Sequence, residues 1–140
     1  KYEIYAVQNG YKFTVDAKEN LFVKADEKRI EQVFNNFITN AINYSNESKD
    51  IEIRVYQKDK NIHLEVEDHG IGISKENLPN VWDRYYKINA EHIRFSKGSG
   101  IGLAIAKEIL ELHHAVYGVN SEEGKGSIFY FELPQVEDKA

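Results

Sequence analysis

The sequence predicts a two-layer α/β sandwich, a mixed sheet of about five strands covered on one face by about three helices. Three observations predict it. Ile51, Ile53 and Val55, and again Ile62, Leu64 and Val66, alternate with polar residues in the two-residue period of half-buried strands. Ile30, Val33, Phe34, Phe37, Ile38, Ala41 and Ile42 step by three and four residues, the period of an amphipathic helix. The two kinds of segment mix without a regular βαβ alternation, and the strand pair meeting at 58–61 implies an antiparallel component.

The elements follow in order. Tyr11, Phe13 and Val15 alternate with Lys12 and Thr14, and Leu21-Phe22-Val23 follows a polar turn, so the chain begins with short strands. Asp26 suits the N-cap of the long helix, which runs to about residue 44, and 46–50 form a turn. Lys58-Asp59-Lys60-Asn61 closes a hairpin between the next two strands, and a short helical segment lies around 78–82. Residues 85–100 show no clean period; a loop that long is functional or mobile. A second helix covers about 101–113, with Ile101, Ile105, Ile109 and Leu112 on one stripe and His113 and His114 at its end. A strand near 116–120, a turn at 122–126 and a strand over 128–133, stopped by Pro134, complete one domain over 1–134; residues 135–140 read as a frayed tail.

Composition narrows the function. A length of 140 residues suits one domain burying roughly two thirds of its unfolded surface. The absence of cysteine removes a disulfide framework, a thiolate zinc site and a cysteine nucleophile, and it fits a reducing compartment. With 18 Lys and Arg against 23 Asp and Glu, the net charge of -5 argues against a nucleic-acid partner. No run approaches the ~20 apolar residues of a membrane helix. The first ten residues carry no signal pattern, and the missing initial Met predicts a piece of a longer protein. The five histidines have no metal-ligand spacing, and no Gly-x-Ser-x-Gly elbow is present.

Three features depart from a plain core-and-surface pattern. Asn36, Asn40 and Asn43 line up on one face of the long helix, expected opposite its apolar stripe. Asn weakens a helix by a few tenths of a kcal/mol relative to Lys, Glu or Gln, yet its amide offers an oxygen to a hard cation and donors to phosphate. A solvated face is the alternative. Asp68 shares the parity of Ile62, Leu64 and Val66, so its carboxylate is expected on the core side, where it needs a donor; Gly70 and Gly72 let backbone approach a ligand. A tight turn opened by Asp is the alternative. Lys97-Gly98-Ser99-Gly100-Ile101-Gly102-Leu103 leads into a helix, where glycine N–H groups and the helix dipole attract anions. It is neither a Walker A loop nor a dinucleotide fingerprint, and a tight turn is again the alternative. Arg84, Lys87, Arg94 and Lys97 make this the cationic part of an acidic chain, suited to a polyphosphate or simply to a solvated loop.

Taken together in this order, these residues resemble the catalytic and ATP-binding domain of bacterial two-component sensor histidine kinases, in the Bergerat-fold (GHKL) superfamily with gyrase B, MutL and the ninety-kilodalton heat-shock chaperones. Residues 31–45, EQVFNNFITNAINYS, are similar to the family's N box; 68–73, DHGIGI, to its G1 box; 81–87, VWDRYYK, to its F box; and 98–105, GSGIGLAI, to its G2 box. Residues 124–134, GKGSIFYFELP, resemble its last strand pair. The resemblance covers nearly the whole chain, and it is the joint order of boxes that makes it specific.

What the resemblance implies is stated position by position. Asp68 would accept from the adenine amine and Tyr44 would pack on the ring. Asn40 would ligate Mg²⁺, with Asn36 supporting metal or phosphate. Asn43, Gly70, Gly72, Ile73 and Ser127 would belong to the nucleotide site. Lys97, Gly98, Ser99, Gly100, Ile101, Gly102 and Leu103 would wrap the phosphates, and 85–100 would form a mobile ATP lid. Arg84 and Lys87 would lie near the β- and γ-phosphates or the partner domain. Asn43 stands where the family usually has Lys, and Trp82 and Tyr85 where it usually has Phe. The superfamily's ATP hydrolases carry Glu at position 36; an amide cannot act as that general base, so the γ-phosphoryl group would be kept for a histidine on a separate domain. The implied partners are therefore ATP, an upstream dimerisation and phosphoacceptor domain, and a response regulator receiver domain. The isolated piece would be a monomer that binds Mg·ATP without phosphorylating itself, and the full chain a homodimer, its catalytic part cytoplasmic and its whole anchored in the membrane. A Bergerat-fold ATPase switch, a serine kinase of the anti-sigma type, and a non-catalytic binding module are the competing readings.

Overall fold

The computed structural model describes residues 2–8, 11–17, 21–45, 49–83 and 102–136, with side chains from residue 15 onward. Its strands are β1 (Tyr2–Gln8), β2 (Tyr11–Ala17), β3 (Phe22–Val23), β4 (Asp50–Lys58), β5 (Asn61–Asp68), β6 (Val116–Glu122) and β7 (Gly126–Val136). They form a seven-stranded mixed sheet ordered β1-β2-β4-β5-β7-β3, with β6 also paired to β7, across it from β5. Neighbouring strands run antiparallel except β2 and β4, which are parallel. Two α-helices, α1 (Glu27–Asn43) and α2 (Gly102–Leu112), pack on one face. The expected α/β sandwich is thus present, with seven strands in place of about five. The third helical segment shrinks to one 3-10 turn, Leu78–Asn80, with Pro79 inside it.

The sheet register explains the core. In β4 the odd residues, in β5 the even ones and in β7 the odd ones face the helices; Ile51, Ile53, Val66, Phe129, Phe131 and Leu133 meet Val33, Phe37 and Ala41 of α1 there. Asp26 caps α1, its side chain accepting from the N–H of Arg29. Phe37 is the hub, with ring centroids 5.6 Å from Phe129 and 6.2 Å from both Phe131 and Trp82. Trp82 turns its edge toward Phe129 and Tyr117.

Four details correct the expectations. The asparagines of α1 are not opposite its apolar stripe: Asn36, Asn40 and Asn43 are each half-buried, beside Val33 and Phe37. At ~100° per residue the three adjoin the Val33–Phe37 row, and the exposed side belongs to Glu31, Asn35 and Thr39. The buried residues of α2 are Ala104, Ala106, Ile109 and Leu110, while Leu112, in the last position of the helix, is 73% exposed. Pro134 does not stop the last strand. It occupies the final rung opposite Asn61, exposed, where its missing N–H costs little. Beyond it the N–H of Gln135 donates to Lys60 O (2.9 Å), and Val23 and Phe22 pair with Gln135 and Val136. The expected frayed tail is therefore strand at 135–136, and 137–140 lie outside the described residues. Finally, β1 pairs with β2 from Gln8↔Tyr11 onward, a hairpin whose Asn9-Gly10 signal sits in the sequence.

The face away from the helices is polar and laced with charge. Arg54 reaches Glu65 at 2.7 Å and also pairs with Glu67 and Glu52. The His63 ring is stacked between Tyr56 and Tyr130, and its Nδ1 and Nε2 face Glu132 (2.8 Å) and Glu65 (2.7 Å). Burial alone would push the Glu65 and Glu132 carboxyls up, but Arg54 and His63 on the first, and His63, Lys58 and Asn61 on the second, hold both below the usual range.

Replacing Phe37 with Ala removes the ring on which three other aromatics lean. Equilibrium unfolding in urea is expected to show a loss of about 3–5 kcal/mol; a loss under about 1 kcal/mol would mean that the core closes over the gap.

Candidate functional site

Asp68 ends β5 on the helix-facing side, as its parity predicts, and is 1% exposed. Its Oδ1 accepts from the N–H of Gly70 (2.9 Å), while its Oδ2 is buried with no hydrogen-bond partner among the described residues. Burial pushes its pKa up to about 6, against the backbone N–H groups of Gly70 and Ser127 and the nearby His69, which favour the ionised form. A buried carboxylate oxygen with nothing to accept from is unfavourable in the empty protein, and it is an acceptor ready for a ligand's donor.

The turn after Asp68 is clamped from two sides. The N–H of Ile71 donates to Tyr44 O (3.1 Å) at the end of α1, and the N–H of Gly124 donates to Ile71 O (2.7 Å) from the β6–β7 turn. A Cβ on Gly70 would lie 1.8 Å from Tyr44 O, so only glycine admits this approach. Gly126, with φ +106°, comes as close on the other side, where a Cβ would lie 2.0 Å from Asp68 O. Gly72 and Ile73 are buried within the same turn, and Tyr44 and Ser127 are buried beside it. Ser127 stands directly opposite Asp68 on β7.

Along α1 the asparagines have separate circumstances. Asn36 Nδ2 donates to Gly102 O (2.9 Å), tying α1 to the first residue of α2. Asn40 Nδ2 is buried with no partner among the described residues. A half-turn of that amide presents Oδ1 in its place, the hard oxygen that Mg²⁺ prefers, so the residue fits a metal-bound polyphosphate as well as a donor role. Asn43 lies half-buried one turn further on. Leu103 packs against the core from the start of α2. Arg84, Lys87, Lys97, Gly98, Ser99, Gly100 and Ile101, with the expected lid at 85–100, lie outside the described residues. Sequence reasoning missed Gly126 and Ser121. Both were findable: Gly126 closes the Gly124-Lys125-Gly126 turn, and Ser121 is a polar residue at core parity with Tyr117 and Val119, the signal that singled out Asp68.

The Asp68 carboxyl is expected to titrate near 6 when its carbon resonance is followed against pH. A value of about 4 would mean an ordinary solvated acid. Because the folded value lies above the unfolded one, this group's contribution to stability is fully present below pH about 4 and is lost as pH rises through about 6, a difference on the order of 3 kcal/mol. Asp68→Asn should delete that segment from the pH dependence of unfolding.

A family profile described as histidine kinase-, DNA gyrase B- and HSP90-like ATPase matches residues 25–137. The sensor histidine kinase WalK of Bacillus subtilis is 38% identical over 122 residues, 86% of this chain and 20% of its own length. The sensor protein kinase WalK of Staphylococcus aureus is 37% identical over 119 residues, 84% of this chain and 29% of its own. The chain thus spans under a third of the curated relatives it matches. Among solved structures, the mycobacterial sensor histidine kinase MprB aligns with a TM-score of 0.78 at 25% identity, over 90% of this chain and 84% of that one. The nucleotide-free catalytic domain of histidine kinase ThkA aligns with a TM-score of 0.70 at 28% identity, over 86% and 79%. The acid, amides and clamped turn lie within the matched residues, and this chain belongs to the histidine kinase-, DNA gyrase B- and HSP90-like ATPase family, with the fold of a histidine kinase catalytic domain.

Proposed function

We propose that this domain binds Mg·ATP and presents the γ-phosphoryl group to a histidine on a separate dimerisation and phosphoacceptor domain, as the catalytic part of a sensor histidine kinase. The observation that carries the reading is a pair of buried polar atoms, Asp68 Oδ2 and Asn40 Nδ2, with no hydrogen-bond partner among the described residues, within a family of ATPases. Asp68 accepts from the adenine amine, beside Tyr44, Gly70, Gly72, Ile73 and Ser127. Asn40 supplies an amide oxygen to Mg²⁺, which when bound neutralises charge on the phosphates. Asn36 to Tyr44 spans about 12 Å of helix, enough to carry a nucleotide from its base toward its phosphates. The tail then reaches Gly102 and Leu103 at the start of α2, where backbone N–H groups favour anions. Arg84, Lys87, Asn43, Lys97, Gly98, Ser99, Gly100 and Ile101 complete the phosphate end in this reading. In this reading the acceptor domain belongs to the longer, membrane-anchored homodimer, a response regulator receiver domain is its partner, and the isolated chain is a monomer.

Hydrolysis is the competing use of the same fold. The amide of Asn36 cannot take a proton from water at neutral pH, and its Nδ2 is engaged with Gly102 O, which supports transfer over hydrolysis.

Calorimetric titration with ATP and GTP, with and without Mg²⁺, tests the base and metal assignments. Binding of ATP is expected in the micromolar range or weaker, about 8 kcal/mol or less. Asp68→Asn should lose most of the preference for ATP over GTP, because its amide can donate where an acceptor is required. Equal preference in wild type and variant would reject the role of Asp68. Incubation with γ-labelled ATP should leave this chain unlabelled, and a stable phosphohistidine on it would refute transfer to a separate domain.

A further inference from the structure

His113, just past the end of α2, has no part in the nucleotide assignment, yet its half-buried ring closes two helix ends at once. Asp26, the N-cap of α1, has a backbone N–H outside the helix ladder. A capping box would satisfy that N–H with Glu or Gln three residues on, but Arg29 stands there and has no acceptor. The Asp26 N–H donates instead to His113 Nε2, 3.0 Å away. The other ring nitrogen, Nδ1, lies 2.9 Å from Ile109 O, a carbonyl of the last turn of α2. An amide N–H only donates and a carbonyl only accepts, so each bond has one possible direction. Nδ1 therefore carries the ring's single proton, and Nε2 presents its lone pair to α1.

A second bond joins the helices at the opposite end of α2, where Asn36 Nδ2 donates to Gly102 O (2.9 Å). Asp26 to Asn36 spans about 15 Å of α1, and Gly102 to His113 about 17 Å of α2, at ~1.5 Å per residue. The two bonds thus bracket nearly equal lengths of two antiparallel helices. With the Asn36 bond alone, α2 could pivot about its first residue; with both, its position along α1 is fixed. The first N–H groups of a helix have no partner within it, and they meet an anion only where the helix start is held. We propose that His113 is a positioning residue for phosphate binding: it locks the far end of α2 to the cap of α1, and so sets where Gly102 and Leu103 present their backbone to the nucleotide's anionic tail. This rests on the reading that the polyphosphate reaches the start of α2. The base, held at Asp68, is indifferent to His113.

The experiment measures dissociation constants of ATP and adenosine for the wild-type chain, His113→Phe, His113→Gln, Asp26→Pro and Asp26→Ala, with melting temperatures alongside. Nitrogen–proton correlation spectra read the ring of His113, and the proton should be found on Nδ1. His113→Phe keeps a ring but neither bond; ATP should bind about threefold to tenfold more weakly, the scale of one hydrogen bond, with adenosine unchanged. His113→Gln keeps an oxygen within reach of the Asp26 N–H and should recover most of that loss. Asp26→Pro deletes the N–H at a φ of -75°, which proline accepts. It should weaken ATP more than Asp26→Ala does, since alanine gives up the same capping carboxylate but keeps the N–H. A proton on Nε2, an equal loss for ATP and adenosine, or a lower melting temperature with the ATP/adenosine ratio unmoved overturns the proposal. Should His113→Phe not fold, His113→Gln and the Asp26 pair decide by the same ratio. If wild type prefers ATP to adenosine and no variant moves that preference, the His113 role falls and the phosphate assignment stands. If wild type has no such preference, the phosphate assignment falls and the His113 role with it.

Discussion

The rest of the site depends on a carboxylate placed where the sheet would ordinarily end on an apolar residue. Asp68 follows Ile62, Leu64 and Val66 on the helix-facing side of β5, and its burial is enforced by neighbours that are themselves fixed. Tyr44 O receives the N–H of Ile71 from one side, and Gly124 donates to Ile71 O from the other. The turn cannot swing outward to solvate the acid without breaking both bonds. The protein therefore carries a desolvated acceptor in its free state, and a donor on a ligand recovers what the fold gives up.

The two faces of the sheet treat acids in opposite ways. On the outer face, Glu65 and Glu132 have cationic or donor partners within hydrogen-bond distance, and these hold their carboxyls below the usual range despite burial. Their contribution to stability is present above the ordinary carboxylate value and is lost as pH falls through the lowered one. For Asp68 burial prevails over the backbone N–H groups of Gly70 and Ser127 and the nearby His69, which favour the ionised form. Its contribution runs the other way. An acid that only held the sheet together would resemble Glu65, with Arg54 and His63 closed around it; Asp68 is arranged as an acceptor held open.

Much of this was legible in the sequence because it follows from period. A two-residue alternation put Asp68 on the core side, and steps of three and four residues outlined α1 with Asp26 as its cap. What failed was what depends on neighbours. Asn36 on the flank of the apolar stripe bonds the first residue of α2, a fact about packing across a sequence separation of 66 residues. Leu112 has the spacing of a buried residue, but the buried side of the helix runs through Ala104, Ala106, Ile109 and Leu110. Pro134 ends strands as a rule, and passes here because it is exposed while Gln135 beyond it still bonds Lys60 O and pairs with β3. The hydroxyl cluster of Ser121 and Ser127 was hidden for the same reason, since register across three strands brings it together.

Asn36 and Asn40 show how one residue type, one turn apart on one helix, divides structural and chemical work. Asn36 gives its amide proton to Gly102 O and so positions the beginning of α2 against α1. Asn40 gives its own to nothing within the described residues. A carboxylate at position 36 would meet Gly102 O as one acceptor meeting another, and the link between helices would turn repulsive. The amide that cannot activate water is thus also the group that this junction requires. Under the proposed function, the contact that anchors α2 and the amide that spares a phosphoryl group from water are the same side chain.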